Sequence, residues 1–246
     1  MKLFDLKKLF NKPKSDEIEI DDLSKEEGRI VFKKIISEIH KELKQYGFKK
    51  QSSNSSYRIV NNVYQSFDFQ KSKHGNSFTI NTCIRPISWH RPESYYLLSS
   101  RRVGNYESNR DKWYKINSNY IENSIIVAEI IKERVIPVFE KLNSTFEITE
   151  NKDFIEENKI YDLSVELSSV IEENLTERSL NLLNMKIQEL NEIKSIEWAK
   201  KDLVYFEKIR DLILSAKWKS VNEILEKNKL DFFETNKKIK TTANNV

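Results

Sequence analysis

The chain has 246 residues, of which 33% are charged, 38% hydrophobic and 11% aromatic, with a formal net charge of +4. That is long enough for a real core and one or two domains, and too aromatic for a disordered chain. Four Gly and four Pro argue against a loop-rich or many-stranded β fold, and the single cysteine, Cys83, excludes an internal disulfide and a cysteine zinc cluster.

Nothing in the sequence approaches the roughly 18 consecutive apolar residues of a membrane span. The N-terminus MKLFDLKKLFNKPK has no apolar core and no small-residue cleavage site of a signal peptide, so a cytoplasmic location is expected. Charge is uneven: residues 30–145 hold 19 Lys/Arg against 10 Asp/Glu, whereas residues 146–246 hold 16 against 20. An anionic partner would be sought on the basic middle segment, unless that segment docks on the acidic one within the chain.

Residues 1–22 combine a basic amphipathic stretch with an acidic linker. Leu3, Leu6, Leu9 and Phe10 fall at helical spacing among lysines, and Pro13 ends the pattern. Leu3, Leu6 and Phe10 have the composition of a membrane-surface contact, or of a terminus packed on the domain.

An α+β domain is expected over residues 23–145. Ser24 with Glu27 is a capping box, and Val31, Ile35, Ile39, Leu43 and Tyr46 form the stripe of a helix ended by Gly47-Phe48. Three antiparallel strands follow, at 57–60, 63–70 and 78–84. Asn61-Asn62 supplies the first turn, because Asn tolerates positive φ. The stretch FDFQKSKHGNSFTIN spans the second turn. Its apolar face, with Phe67, Phe69, Phe78 and Ile80, requires a helical cover. Its other face carries Asp68, Gln70, Thr79 and Asn81. A fourth strand is expected at 95–103, and a helix from Asn119 to Leu142 is expected to kink at Pro137. The fold class is therefore a three- to four-stranded antiparallel sheet covered by two helices, followed by an all-helical C-terminal region at 146–234. Its stripes are Ile160, Leu163, Leu167, Val170 and Ile171; Leu180, Leu183, Ile187 and Leu190; and Trp198, Tyr205, Ile209, Leu212 and Ala216. Asp153 with Glu156 reads as an N-cap pair, and a short helix is expected at 218–226. Residues 235–246 read as a polar, disordered tail.

Several short motifs stand in a definite order. Gly47-Phe48-Lys49-Lys50 follows a helix; then come Val63-Tyr64-Gln65, Phe69-Gln70-Lys71-Ser72 and Phe78-Thr79-Ile80-Asn81. Arg102-Val103-Gly104, Asp111-Lys112-Trp113-Tyr114 and Ile136-Pro137-Val138-Phe139 complete the series. This order resembles the bacterial domain of unknown function 4304 family over about residues 28–145. The excess of Lys, Asn, Ile and Glu is similar to that of low-GC bacterial proteins. Thr82-Cys83 departs from the pattern, where a smaller or more apolar pair is expected. The resemblance implies a compact α+β domain and no particular activity. In size and style such proteins are similar to bacterial immunity proteins and small defence accessories, an analogy at fold level only.

The chemistry is sparse. Cys83 would need a base in reach, and His90 is the nearest histidine in sequence. His40, His74 and His90 show no metal-ligand spacing. Asp68, Gln70 and Lys71 have a nuclease flavour, but Gln70 stands where a metal carboxylate is needed. No glycine-rich phosphate loop and no Gly-x-Ser-x-Gly occurs. Neither catalytic residues, nor a metal, nor a cofactor are expected.

Arg85, Trp89, His90, Arg91, Tyr95, Tyr96, Arg101, Arg102, Trp113 and Tyr114 interleave arginines with rings. Such a set suits an acidic protein surface or single-stranded nucleic acid, while aromatics at strand spacing are more often core. Arg102 with Asp111 is expected as an ion pair bracketing the loop. The expectation is a noncatalytic protein-binding module of immunity, antitoxin or defence-accessory type. Gln70, Asn81, Arg85, Arg101, Arg102, Trp113 and Tyr114 are its partner-binding residues. A nucleic-acid binder using residues 85–115, and an enzyme working through Cys83 or Asp68, are the alternatives.

Overall fold

Ser24 opens the first helix. The structure, a computed structural model, describes residues 23–89, 101–108, 110–157 and 163–236. Helix α1 spans Lys25–Lys44; the Ser24 hydroxyl accepts from the Glu27 amide and the Glu27 carboxylate accepts from the Ser24 amide. Its stripe of Val31, Phe32, Ile35, Ile36, Ile39 and Leu43 is buried. Gly47 takes φ 81, and the Phe48 amide reaches back to the Leu43 carbonyl at 3.3 Å.

The sheet is antiparallel in the order β1(Lys49–Ser52), β2(Ser55–Val60), β3(Val63–Lys71), β4(Ser77–Pro86), β5(Arg101–Arg102), with β6(Tyr114–Lys115) also on β4. Asn61 and Asn62, at φ 44 and 66, make the tight turn between β2 and β3. The α+β class with a helical C-terminal region holds. The sheet adds a short strand, β1, straight after the helix; most of its residues are exposed, so no apolar alternation marks it. The strand expected from Tyr95 is described only from Arg101. It pairs for two residues before the chain turns into α2(Val103–Ser108). Gly104 is required there, because a Cβ would lie 2.4 Å from the Lys112 Cβ.

Two further helices cover the front face of the sheet. The first, α3(Tyr120–Ile130), passes through a π turn at Ile131–Val135 into α4(Ile136–Lys141). The π turn widens the backbone where the Pro137 ring would meet the Glu133 carbonyl of an unbroken helix. Phe32 lies 5.8 Å from Phe78, Phe48 5.0 Å from Phe67, and Phe67 5.2 Å from Phe139 (ring centroids), which joins α1, the sheet and α4. Gln65 falls in this apolar row yet is fully buried. Its carboxamide nitrogen donates to the Phe139 and Leu142 carbonyls at 2.7 and 3.2 Å, and its oxygen accepts from Arg58 at 2.7 Å. It serves as the C-terminal cap of α4.

The remaining helices are α5(Thr145–Glu150), α6(Lys152–Glu157), α7(Leu163–Glu172), α8(Thr176–Glu192), α9(Glu197–Leu214) and α10(Trp218–Thr235). Ser144 caps α5, whereas Asp153 lies inside the first turn of α6. Leu183, Ile187 and Leu190 of α8 are buried, as their spacing predicts. In α9 the buried set is Ala199, Asp202, Phe206, Ile209 and Ile213, so the expected stripe is rotated: Trp198 is exposed and Ala216 lies beyond the helix. Neither α7 nor α9 is followed by a glycine. Asn174 (φ 55) and Ala216 (φ 54) take the left-handed position, and Leu175 and Lys217 donate back to Val170 and Leu212 at 2.9 Å each. One cluster of buried side chains runs from Phe67 and Phe78 through Val103 and Phe139 to Leu167, Leu183 and Phe206. The amphipathic stretch of Leu3, Leu6 and Phe10, the acidic linker, Ile160 and the tail from residue 237 lie outside the described residues.

His40 on α1 is buried, and its Nδ1 is 2.9 Å from the Ser56 hydroxyl. Burial, then the charges of Lys50 and Lys44, hold its pKa below the ordinary 6.5. The unfolded chain therefore binds the proton more readily. Stability is complete above about pH 6.5 and falls as the pH drops through and below it, by at most about 1.4 kcal/mol per pH unit. Denaturant unfolding at pH 7.5 and 5.5 is expected to show this loss in the wild type. The His40→Gln variant is expected to lose less over the same interval.

Candidate functional site

The back face of the sheet is built in rows. Side chains alternate along a strand, and directly paired residues project from the same side. The register pairs Ile59 with Tyr64 and Tyr64 with Arg85, then Tyr57 with Ser66 and Ser66 with Cys83. The next row is Ser55, Asp68, Asn81 and Arg102, followed by Gln70 beside Thr79.

The first two rows are covered. Phe232 of α10, Tyr57, Tyr64, Cys83 and Ile87 form a separate buried cluster, with Ile59 and Phe233 at its edge. The Phe232 ring lies 5.6 Å from the Tyr64 ring and 5.0 Å from the Arg85 guanidinium, which is only 1% exposed. A polar junction holds α10 here. Lys229 pairs with Glu172 at 2.9 Å, and Glu172 also accepts from Ser88 at 2.6 Å and from Asn62 at 3.1 Å. Asn228 donates to the Ser88 carbonyl at 3.0 Å and to the Tyr205 hydroxyl at 2.8 Å. Burial works against the Lys229 charge, but its bonds to Glu172 and Glu226 outweigh it and raise the pKa.

The next two rows are less covered: Ser55, Asp68, Asn81 and Arg102 of the third are half-buried. Gln70 is exposed, Asn81 is half-buried, and the Asn81 carboxamide donates to Gln70 at 3.3 Å. Asp68 is half-buried and makes no hydrogen bond or ion pair among the described residues; burial pushes its pKa above the ordinary value. The 110–113 loop walls the far side. Thr79 donates to the Lys112 carbonyl at 3.3 Å, Arg102 pairs with Asp111 as the spacing anticipates, and the Arg102 guanidinium lies 5.3 Å from the half-exposed Trp113 ring.

The expected recognition residues therefore separate. Gln70, Asn81, Arg102 and Trp113 stand together at the open end. Arg101 does not join them: paired with Thr82, it projects from the opposite face of the sheet, stacked 4.3 Å from Tyr106 and donating to the Asn105 carbonyl at 2.6 Å. Arg85 and Tyr114 are corrections, since neither is on an exposed surface. Arg85 is under α10, and Tyr114 is 7% exposed on the front face, 5.5 Å from Phe78. Pairing with Phe78 rather than Ser77 sends the Tyr114 ring into the core. Trp89 is likewise buried against Phe206. His90, Arg91, Tyr95 and Tyr96 lie outside the described residues.

Cys83 is buried, and burial raises its pKa, opposed by the Arg85 charge and a Ser66 hydrogen bond. A thiol so placed is a poor nucleophile. Lys71 points to the opposite face from Asp68 and Gln70, so the nuclease-like trio is not assembled. Among the described residues no group of three or more His, Cys, Asp or Glu is placed to hold a metal ion, and no helix is long and apolar enough to cross a membrane.

The sequence offers Asp68 as a catalytic candidate and not as a partner-binding residue, and gives Phe232 no place in the site. One signal existed for Asp68: it is the only carboxylate between Glu42 and Glu93. None existed for Phe232, which lies more than 140 residues from the strand it covers.

No curated protein and no solved structure matches the chain. The family model described as "Domain of unknown function (DUF4304)" matches residues 39–141. That span covers the last six residues of α1, the whole sheet and the two helices joined by the π turn, so the α+β portion of this chain belongs to the DUF4304 family.

Proposed function

We propose that the chain is a noncatalytic protein-binding module, in its most concrete form an immunity-like, antitoxin-like or defence-accessory protein of a bacterial cytoplasm. The open back-face row, with the Arg102–Trp113 edge, is its recognition surface. The observation that carries this reading is the asymmetry of one sheet face. A C-terminal helix buries two rows, whereas Ser55, Asp68, Asn81 and Arg102 of the third are only half-buried and Gln70 next to them is exposed, beside a half-exposed tryptophan. A rigid sheet presents side chains with little ordering cost, and Trp and Arg are the residue types that dominate interface energetics. Nucleic acid has less support on the same segment. Among the described residues Arg85 is buried, Arg102 is paired with Asp111 and Lys112 with Glu107, which takes three of the segment's cations away from phosphates.

The test compares the wild type with Gln70→Ala/Asn81→Ala/Trp113→Ala as baits in extract of the native host. A captured protein is then purified and its own activity assayed with each bait. The wild type is expected to bind and inhibit it, while the triple variant, unfolding at the same temperature, loses binding at least tenfold. Equal binding and inhibition by the variant would sink the proposal. So would an affinity for single-stranded nucleic acid that falls steeply between two salt concentrations and is lost in the variant.

A further inference from the structure

We propose that Asp68 is an anchor point for a guanidinium group, the side chain of an arginine presented by the partner. This deepens the recognition-surface reading and rests on it. Asp68 stands at the middle of the open row, with Ser55 on one side and Asn81 on the other. Neighbouring strands are roughly 4.8 Å apart, which puts Asp68 about 10 Å from the column of Arg102, two strands away. Arg102 is engaged by Asp111 and does not neutralise it. Ser55 is also engaged, bonded to the Ser52 hydroxyl at 2.7 Å.

A half-buried carboxylate with no donor is unfavourable to the fold, since water is partly removed and nothing replaces it. The raised pKa of Asp68 reflects that loss of water. The donors nearest in register do not serve it, because the Asn81 amide is turned toward Gln70. That bond leaves the Asn81 carbonyl oxygen without a hydrogen bond among the described residues. Two carboxylate oxygens and one carboxamide oxygen on adjacent strands make a surface of acceptors. A planar guanidinium, with five N–H groups in a fixed fork, matches such a surface better than a compact ammonium. A cation docked there would restore the interactions that folding removes.

The experiment titrates the full chain with butylguanidinium, with butylammonium and sodium chloride as controls, and follows backbone amide NMR shifts. Saturable shifts are expected at residues 66–70 and 79–83 of the wild type. Affinity is expected to fall at least fivefold in Asp68→Asn and to persist in Trp113→Ala. Asp68→Asn is also expected to unfold at a higher temperature at pH 7, which separates loss of binding from loss of fold. Absence of saturable shifts, unchanged affinity in Asp68→Asn, or equal binding of butylammonium would overturn the assignment. If these fail while the triple variant still loses its partner, the recognition surface stands and the Asp68 anchor alone falls.

Discussion

Truncating Phe232 to alanine is expected to cost about 3–5 kcal/mol of folding free energy, the range for removing a fully buried ring. The ring is 1% exposed and contacts Tyr64 and Arg85 on the back face. Its loss leaves a cavity where α10 seals the sheet, over a buried arginine. Urea unfolding would measure the loss. The sole cysteine gives a local readout, because Cys83 belongs to the same buried cluster. Its modification by a thiol reagent is expected to accelerate at least tenfold in the variant. A loss below about 1 kcal/mol with unchanged Cys83 labelling would mean that α10 does not seal this face.

Arg58→Ala is expected to be comparably damaging, at about 3–5 kcal/mol, because it strands several partners at once. The guanidinium donates to the Gln65 oxygen at 2.7 Å and the Tyr46 carbonyl at 2.8 Å, pairs with Glu140 at 2.8 Å, and lies 4.8 Å from the Phe48 ring centroid. It thereby fastens the end of α1, strand β3 and the end of α4 together. Glu140 is half-exposed, so the ion pair itself contributes little. The cost resides in the buried bonds to Gln65 and Tyr46. A cycle with Gln65→Ala tests this: the double variant is expected to be less destabilised than the sum of the singles by about 1 kcal/mol or more. Strict additivity would show that the two side chains act independently.

These two positions illustrate how far local patterns reach. The capping box of α1, its Gly47 stop and the Asn61-Asn62 turn are short-range devices, and each formed where its residues predict. The strand alternation placed Phe67, Phe69, Phe78 and Ile80 in the core. It also assigned Gln65 to the apolar face without indicating why a polar group belongs there. The reason is the end of α4, some 75 residues away. The buried face of α9 differs from the expected stripe for a related reason. Trp198, Tyr205 and Leu212 form a plausible stripe, but the burial of Ala199, Phe206 and Ile213 follows the direction from which α8, α10 and Trp89 approach.

By itself the sequence determined the α+β class, the order of strands β2 to β4, the two ends of α1 and the Arg102–Asp111 bracket, since these depend on neighbours close along the chain; the helix expected at 218–226 runs on to Thr235. It also determined which side of FDFQKSKHGNSFTIN is apolar. Only the tertiary structure decided what becomes of the other side. Period-two alternation separates two faces of a sheet and says nothing about what lies over each. Phe232 arrives from a helix near the end of the chain, seals Tyr64, Cys83 and Arg85, and stops short of Asp68, Gln70 and Asn81. The covered half and the open half have the same strand pattern. Long-range packing alone makes one of them core and leaves the other as a surface.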